Sequence, residues 1–171
     1  MKLNRSIKDM DKVDKKILKI LQDDGKATLS DISDKLRKLH KISLGKTAIN
    51  ARIEKMREGN NDSENIDDRP IIEKFMAVVN CRKIGYTEML MASLRLNGSA
   101  KEIGAHVKKI EEVKYIYITS GEYPLFVMAK CFGHQESLDI VEKLQKIEGV
   151  EEVKTEIVMD CIKEDHTIHI K

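Results

Sequence analysis

The stretch from Lys35 to Arg57 decides the fold of the amino-terminal part of the chain and reads KLRKLHKISLGKTAINARIEKMR. Its second half places Ile49, Ile53 and Met56 at spacing i, i+4, i+7, which predicts a helix with one buried face. The opposite face carries polar side chains: Lys46, Thr47, Asn50, Glu54 and Arg57. A short helix of this kind suits the DNA major groove, because such side chains donate to base edges and phosphates.

The alternative for the same helix is an ordinary amphipathic surface helix, but the residues before it add basic charge. The stretch holds eight Lys or Arg residues against one acid. The candidate DNA-contacting residues are Lys38, Lys41, Lys46, Thr47, Asn50, Arg52 and Arg57. Asn50 suits an adenine edge, and Lys38 and Lys41 suit phosphates. Arg52 could instead face inward and tie the helix to its own domain.

Composition separates two modules of opposite charge. With 171 residues, 41% of them apolar, the chain can form one large or two small domains. Residues 1–57 carry 16 Lys/Arg and 8 Asp/Glu, whereas residues 58–171 carry 15 and 21. This asymmetry is typical of a polyanion-binding domain joined to a second module. Aromatic residues make up only 4%, which disfavours a stacking platform for single-stranded nucleic acid.

Cysteine usage and hydropathy predict the compartment. Cys81, Cys131 and Cys161 are far apart and form no Cys-x-x-Cys pair, so reduced cysteines of a cytosolic protein are expected. No signal peptide is evident, and no run approaches the roughly 18 apolar residues that a spanning helix needs. The sequence therefore predicts a cytoplasmic protein without a membrane partner.

Three helices are predicted before residue 58. Asp11 and Thr28 are suitable N-cap residues for the first two helices. The apolar stripe of the second helix is predicted to contain Ile32, Leu36 and Leu39. Three short helices with a basic last one indicate a helix-turn-helix DNA-binding domain over residues 1–58. Residues 59–80 follow as an acidic linker and a hinge strand over Ile71–Val79.

Residues 81–171 alternate between strand and helix patterns in the order β-α-β-β-α-β. Strands are predicted at Met89–Leu96, Val113–Thr119, Leu125–Cys131 and Val153–Met159, with Ser99 as the N-cap of the first helix between them. Right-handed crossovers convert this order into a ferredoxin-like sheet with both helices on one face. The predicted class is α+β: an N-terminal helix-turn-helix (winged-helix-like) domain plus a C-terminal ferredoxin-like βαββαβ sandwich.

Two segments resemble a known family. Asp11-x-x-Asp14-x-x-Ile17-Leu18-x-x-Leu21-x-x-Asp24-Gly25-Lys26-Ala27-Thr28 resembles the opening of the Lrp/AsnC (feast/famine) transcriptional regulators, and Thr47-Ala48-Ile49-Asn50-Ala51-Arg52-Ile53 resembles their recognition helix. The resemblance covers residues 11–160 and implies a homo-oligomeric regulator that binds double-stranded DNA. This chain departs from the pattern by about six extra residues around 37–42, by Gly45 in place of a Ser N-cap, and by a longer hinge.

The resemblance also implies an effector site in the loop between the second and third strands. Gly121, Glu122 and Tyr123 are the candidate effector-binding residues, and an amino acid or another small molecule is the expected effector. Backbone amides near Gly121 could hold a carboxylate, and Glu122 could pair with an ammonium group. The family usually has Asp where this chain has Pro124, which predicts changed specificity or weak binding. A plain hairpin turn is the alternative.

The sequence indicates no catalytic residue, cofactor or metal site. His166-x-x-His169 lacks companion ligands at zinc-like spacing, so a polar tail is expected there. Two other functions stay open: a haem-pathway decarboxylase-like enzyme of the same architecture, and an effector-sensing module with a vestigial DNA arm.

Met89 and Met91 alternate with further apolar residues, so the sheet should be apolar on both faces. A second subunit is the expected cover for the face without helices.

Overall fold

The computed structural model describes residues 10–61, 63, 65 and 68–170, which fold into two compact units. One unit is Met1–Val78 with Asp165–Lys171, and the other is Val79–Glu164. The first unit contains three helices: α1 (Lys12–Asp23), α2 (Leu29–His40) and α3 (Lys46–Arg57). No helix in the described part of the chain is long and apolar enough to cross a membrane.

The first two helices begin where the sequence predicts. Asp11 is the N-cap of α1, and its side chain accepts from the amides of Val13 and Asp14. Thr28 caps α2 by accepting from the Asp31 amide, and the Asp31 carboxylate accepts from the Thr28 amide in return. Such reciprocal capping boxes satisfy amides that have no partner within the helix.

One apolar cluster joins the three helices. Its fully or nearly buried members are Ile17, Ile20, Leu21, Ile32, Leu36, Ile49, Ile53, Met56 and Ile72. These include the predicted Ile32 and Leu36 of α2 and the predicted Ile49, Ile53 and Met56 of α3, so helical spacing located most of the core positions of these two helices. The cluster fixes one face of α3 inward and leaves its other face exposed.

The prediction that Leu39 joins the apolar stripe of α2 is wrong, because Leu39 is 70% exposed. Helix α2 ends at His40, and Lys41 adopts a left-handed conformation with φ 56°. The chain then turns back, and the amide of Ile42 donates to the Leu36 carbonyl at 3.1 Å. Ile42 packs against the cluster beyond Leu36, so it covers the end of the core instead of Leu39.

The hinge strand predicted over Ile71–Val79 is not formed in this single chain. Ile72 is anchored, since its amide donates to the Met56 carbonyl at the end of α3. The residues after it have no strand assignment, and the apolar ones among them are exposed: Phe75, Met76, Val78 and Val79. A strand requires a hydrogen-bonded neighbour, and the described residues supply none to this segment.

The second unit has the predicted β-α-β-β-α-β order. Its elements are β1 (Glu88–Leu96), α4 (Ala100–Val107), β2 (Val113–Ile118), β3 (Leu125–Cys131), α5 (His134–Gln145) and β4 (Val150–Ile157). The four strands form one antiparallel sheet in the order β2-β3-β1-β4. Ser99 caps α4 as predicted, by accepting from the Glu102 amide.

The two faces of the sheet differ in what covers them. Alternate residues of β1 and β3, including Leu90, Ala92 and Val127, pack with Ile103 of α4 and Ile140 of α5 in a buried core. The other face, which we call the open face, carries the intervening side chains: Met89, Met91, Ser93, Tyr115, Tyr117, Phe126 and Met128. Tyr115 and Tyr117 are 37% and 49% exposed, so the apolar side chains of this face are accessible. Strand β4 adds the charged Lys154 and Glu156 to the same face, opposite Ser93 and Met91.

The carboxy-terminal residues lie with the first unit. The Gln22 side chain on α1 pairs with the backbone of Ile168, donating to its carbonyl at 3.2 Å and accepting from its amide at 2.7 Å. Ile168 itself is 77% exposed, so this contact is polar and buries little apolar surface.

Candidate nucleic-acid interface and effector loop

The outward face of α3 presents polar side chains that are free to bind a partner. Lys46, Thr47 and Asn50 are exposed, whereas Ile49 and Ile53 on the opposite face are buried. Within the described part of the chain, no hydrogen bond or ion pair engages the side chains of Lys46, Thr47 or Asn50. Donor and acceptor groups that are held on a rigid helix and already solvated suit contact with base edges.

Arg52 has an inward role in the structure. Its Nη1 atom lies 2.6 Å from a carboxylate oxygen of Asp11 and 2.6 Å from one of Asp14. The Arg52 side chain is 31% exposed and that of Asp14 only 15%. Hydrogen bonds to Asp14 and Asp11 raise the pKa of Arg52. This geometry matches the second of the two roles that the sequence left open, a tie between α3 and its own domain.

Arg57 is also engaged, at the last turn of α3. Its Nη1 atom lies 3.2 Å from Glu54 Oε1, one turn back along the helix. Its guanidinium carbon lies 5.9 Å from the ring centroid of Phe75, within the range of a cation–π contact. Arg57 therefore connects the end of α3 to the segment that follows Ile72.

The two lysines predicted to contact phosphates lie at the end of α2. Lys38 is in its last turn, and Lys41 follows it in the turn toward α3. Both are exposed. Lys41 is the only residue other than glycine with a positive φ in the described ranges, and a left-handed lysine is conformationally strained. The turn therefore holds a basic side chain at an energetic cost.

The predicted effector loop is a closed turn between β2 and β3. The Thr119 amide donates to the Pro124 carbonyl and its hydroxyl to the Tyr123 carbonyl, both at 2.8 Å. Gly121 has φ 115° and open space around it. A positive φ of this size favours glycine even where there is space for a side chain, so the loop shape depends on Gly121.

Glu122 already has a cationic partner. Its carboxylate lies 3.3 Å from Arg95 on β1. Arg95 also pairs with Glu152 at 2.7 Å and with Glu151 at 3.5 Å, and the nearby Glu152 charge is the main reason that its pKa is raised. Burial and the charges of Glu152 and Glu122 raise the pKa of Tyr123. A ligand ammonium that approached Glu122 would therefore compete with Arg95.

Sequence reasoning did not assign four of these partners. Asp11 was predicted as an N-cap, Asp14 was noted only within the family motif, and Phe75 only as part of a strand. Arg95 could have been found from strand register, because β1 pairs with β4 so that Arg95 lies opposite Glu152. No group of three His, Cys, Asp or Glu side chains that could hold a metal ion occurs among the residues that the structure describes.

Each of the two units matches a known protein-domain family. Residues 10–57 match the AsnC-type helix-turn-helix domain, and residues 89–168 match the Lrp/AsnC ligand binding domain. The HTH-type transcriptional regulator FL11 of Pyrococcus abyssi is 32% identical over 164 residues, which cover 95% of this chain and 97% of that protein. FL11 of Pyrococcus horikoshii gives the same identity and coverage. The chain belongs to the Lrp/AsnC family and is a DNA-binding transcriptional regulator.

Solved structures share the fold at lower identity. Escherichia coli AsnC is 22% identical, with a TM-score of 0.72 over 93% of this chain and 97% of that one. A feast or famine regulatory protein from Mycobacterium tuberculosis, complexed with L-methionine, is 18% identical with a TM-score of 0.77. The alignment covers 94% of this chain and 99% of that chain. These neighbours confirm the predicted helix-turn-helix and ferredoxin-like architecture.

Proposed function

We propose that α3 reads DNA through Lys46, Thr47 and Asn50. The observation that carries this proposal is the contrast between the two faces of α3: one is buried in the apolar core, and the other holds exposed side chains without protein partners. Asn50 would form a paired hydrogen bond with an adenine edge, and Lys46 would donate to guanine or phosphate. Lys38 and Lys41 would contact phosphates, which position the protein without reading sequence.

Arg52 and Arg57 are positioning residues in this proposal. Each is within ion-pair distance of a carboxylate of its own unit. Arg52 holds α3 against the start of α1, and Arg57 holds the end of α3 against Phe75. Their role is to fix the angle of the recognition helix, since a small displacement of that helix would misplace Asn50 at the base edge.

The functional state proposed here is a homodimer or a larger homo-oligomer. Two apolar surfaces support it. The open face of the sheet presents Met91 and Tyr117, and the extended segment after Ile72 presents Met76 at 68% exposure. A second copy would cover these surfaces and would supply a pairing partner for the extended segment. A two-fold dimer also provides two recognition helices for a palindromic DNA site.

A small effector bound at the Gly121–Tyr123 loop is the regulatory part of the proposal. Two structural neighbours are complexes with methionine, one from Neisseria meningitidis and one from Mycobacterium tuberculosis. In this chain Pro124 adds no charge, and the Glu122 carboxylate already forms an ion pair with Arg95. Binding of a common amino acid is therefore expected to be weak, or to differ in specificity from a loop with Asp at position 124.

A mobility-shift assay on the DNA upstream of the chain's own gene tests the proposed function. A retarded band that resists competition by random duplex supports it, and the absence of any band at low salt contradicts it. The relatives are transcriptional regulators, which favours action by binding over catalysis. A cytoplasmic location is part of the proposal. An absorbance scan of the purified protein would reveal a bound tetrapyrrole if the decarboxylase alternative held.

A further inference from the structure

Three lysines line one side of α1. Lys12, Lys16 and Lys19 are spaced i, i+4, i+7, so they lie on the same side of the helix. We call this set the α1 lysine face. Lys12 and Lys19 are exposed, and Lys16 is half-buried. No carboxylate of the described residues forms an ion pair with any of the three.

The opposite flank of α1 has the opposite charge. Asp11 and Asp14 lie there and bind Arg52 of α3. The helix thus directs Asp11 and Asp14 toward α3 and the three lysines away from the contact with Arg52. Asp23, four residues after Lys19, ends the α1 lysine face. This separation makes the α1 lysine face distinct from the outward surface of α3, which carries Lys46 and Asn50.

The α1 lysine face reaches the end of α2. Burial together with the charges of Lys16 and Lys19 lowers the pKa of His40, the last residue of α2. His40 is followed directly by Lys41 in the turn to α3. Two of the α1 lysines therefore lie near the last residue of α2, which directly precedes the basic turn.

Such a row of lysines has a cost when nothing binds to it. Like charges at i, i+3 and i, i+4 destabilise a helix, and here they also disfavour protonation of His40. A polyanion would remove both penalties. Duplex DNA is the polyanion that this protein binds, and its phosphates accept lysine contacts along the flanks of a site without regard to sequence.

We propose that the α1 lysine face binds the phosphates of duplex DNA that flanks the base pairs read by α3. This inference rests on the proposed function and extends the protein–DNA contact to a surface outside α3. Lysine ammonium groups are point charges, so the contact contributes affinity and salt dependence but no sequence preference.

The test is a salt titration of DNA binding by the full chain. A fluorescent duplex of about three helical turns, centred on the bound site, gives room for flanking contacts. The triple variant Lys12→Gln, Lys16→Gln, Lys19→Gln should reduce the slope of log K against log salt by about 2–3, since each lost phosphate contact removes about 0.9. The ratio of affinities for selected and random duplex should stay at the wild-type value.

Two control variants make the result specific. Replacing the same three residues with arginine keeps the charge and should keep the wild-type slope. Replacing Lys83, Lys108 and Lys109, which are exposed lysines of the second unit, with glutamine should also leave the slope unchanged. Thermal unfolding of each variant verifies that the fold is intact.

An unchanged slope in the folded Lys→Gln triple variant would overturn the inference. So would a reduced slope accompanied by loss of the selected-to-random ratio, because the lysines would then be acting through the recognition helix. If the wild-type chain bound no duplex at all, the proposed function itself would fail, and this outcome is separate from the other two.

Discussion

The Nη1 atom of Arg52 on α3 lies 2.6 Å from Oδ1 of Asp14 on α1. The same carboxylate accepts from the Asp11 amide at 3.2 Å through its other oxygen, as half of the capping box that begins α1. Asp11 likewise caps α1 and binds Arg52. One cluster of three charged residues therefore starts the first helix and holds α3 against it.

Arg52→Ala should lower the free energy of unfolding by about 1–2 kcal/mol, because it leaves the largely shielded carboxylate of Asp14 and the exposed one of Asp11 without their guanidinium. Chemical denaturation monitored by circular dichroism measures the change. Arg37→Ala is the matched control: its ion pair with Asp34 is exposed on both sides and should contribute little. An Arg52→Ala effect no larger than that of Arg37→Ala would contradict the proposed tie.

Acid pH should reduce the difference between wild type and Arg52→Ala. Burial tends to raise the pKa of Asp11, but hydrogen bonds from the Asp14 amide and from Arg52 outweigh it, so the pKa lies below its ordinary value of 3.8. A carboxyl whose pKa is depressed by folding stabilises the protein at neutral pH, and this stabilisation is lost as pH falls through the folded pKa. Denaturation curves at pH 7 and below about pH 3.5 should show a smaller gap in acid.

Lys41→Gly should stabilise the protein and weaken DNA binding at the same time. Glycine relieves the left-handed strain at φ 56°, worth about 0.5–1 kcal/mol after the entropy that glycine adds to the unfolded chain. Loss of the charge should reduce the salt slope of DNA binding by about one. Lys38→Gln should reduce the slope equally without the gain in stability. A destabilised Lys41→Gly protein would show that the turn is not strained.

Sedimentation at micromolar concentration should find a dimer or a larger species. The open face of the sheet and the segment after Ile72 both carry exposed apolar side chains, and a second copy would bury them. Met91→Lys, in the middle of the open face, should shift the population toward the monomer. Glu142→Lys, on an exposed part of α5, serves as the control. A wild-type protein that sediments only as a 19.6 kDa monomer would refute this assembly.

Calorimetric titration with the twenty amino acids should show weak binding or none. Arg95 occupies the carboxylate of Glu122, and Pro124 supplies neither a charge nor an amide proton. A ligand that does bind should lose affinity in Glu122→Ala. Tight binding below about 10 µM, or about −7 kcal/mol, that persisted in Glu122→Ala would show that the effector binds elsewhere.

Local patterns were sufficient to predict most of the fold. Helical spacing located Ile49, Ile53 and Met56 in the core, and capping residues located the starts of α1, α2 and α4. These features depend on contacts within a few turns, so the sequence displays them directly. Leu39 was misplaced because the end of a stripe depends on where the chain turns, and the turn at Lys41 uses a backbone conformation that lysine rarely adopts.

Long-range pairing was the part that sequence reasoning could not resolve. Arg52 faces inward because Asp11 and Asp14 lie opposite it when α1 packs against α3. These aspartates are 41 and 38 positions away in the sequence, so the spacing of residues along α3 does not reveal them. Arg95 and Glu122 likewise meet only because β1 and the β2–β3 turn are brought together by the sheet. The segment after Ile72 was predicted as a strand because pattern alone does not reveal whether a pairing partner is present.

Equilibrium binding of wild type and Asn50→Ala to duplex DNA tests the central claim most directly. Sites selected from a random pool by the wild-type chain provide the specific duplex, and Gln145→Ala, exposed on α5, provides the control. We expect Asn50→Ala to lose about 1–3 kcal/mol on the selected site and to lose discrimination against random duplex, with its fold intact. If Asn50→Ala bound both duplexes as tightly as the wild type, α3 would not be reading DNA through the face assigned to it.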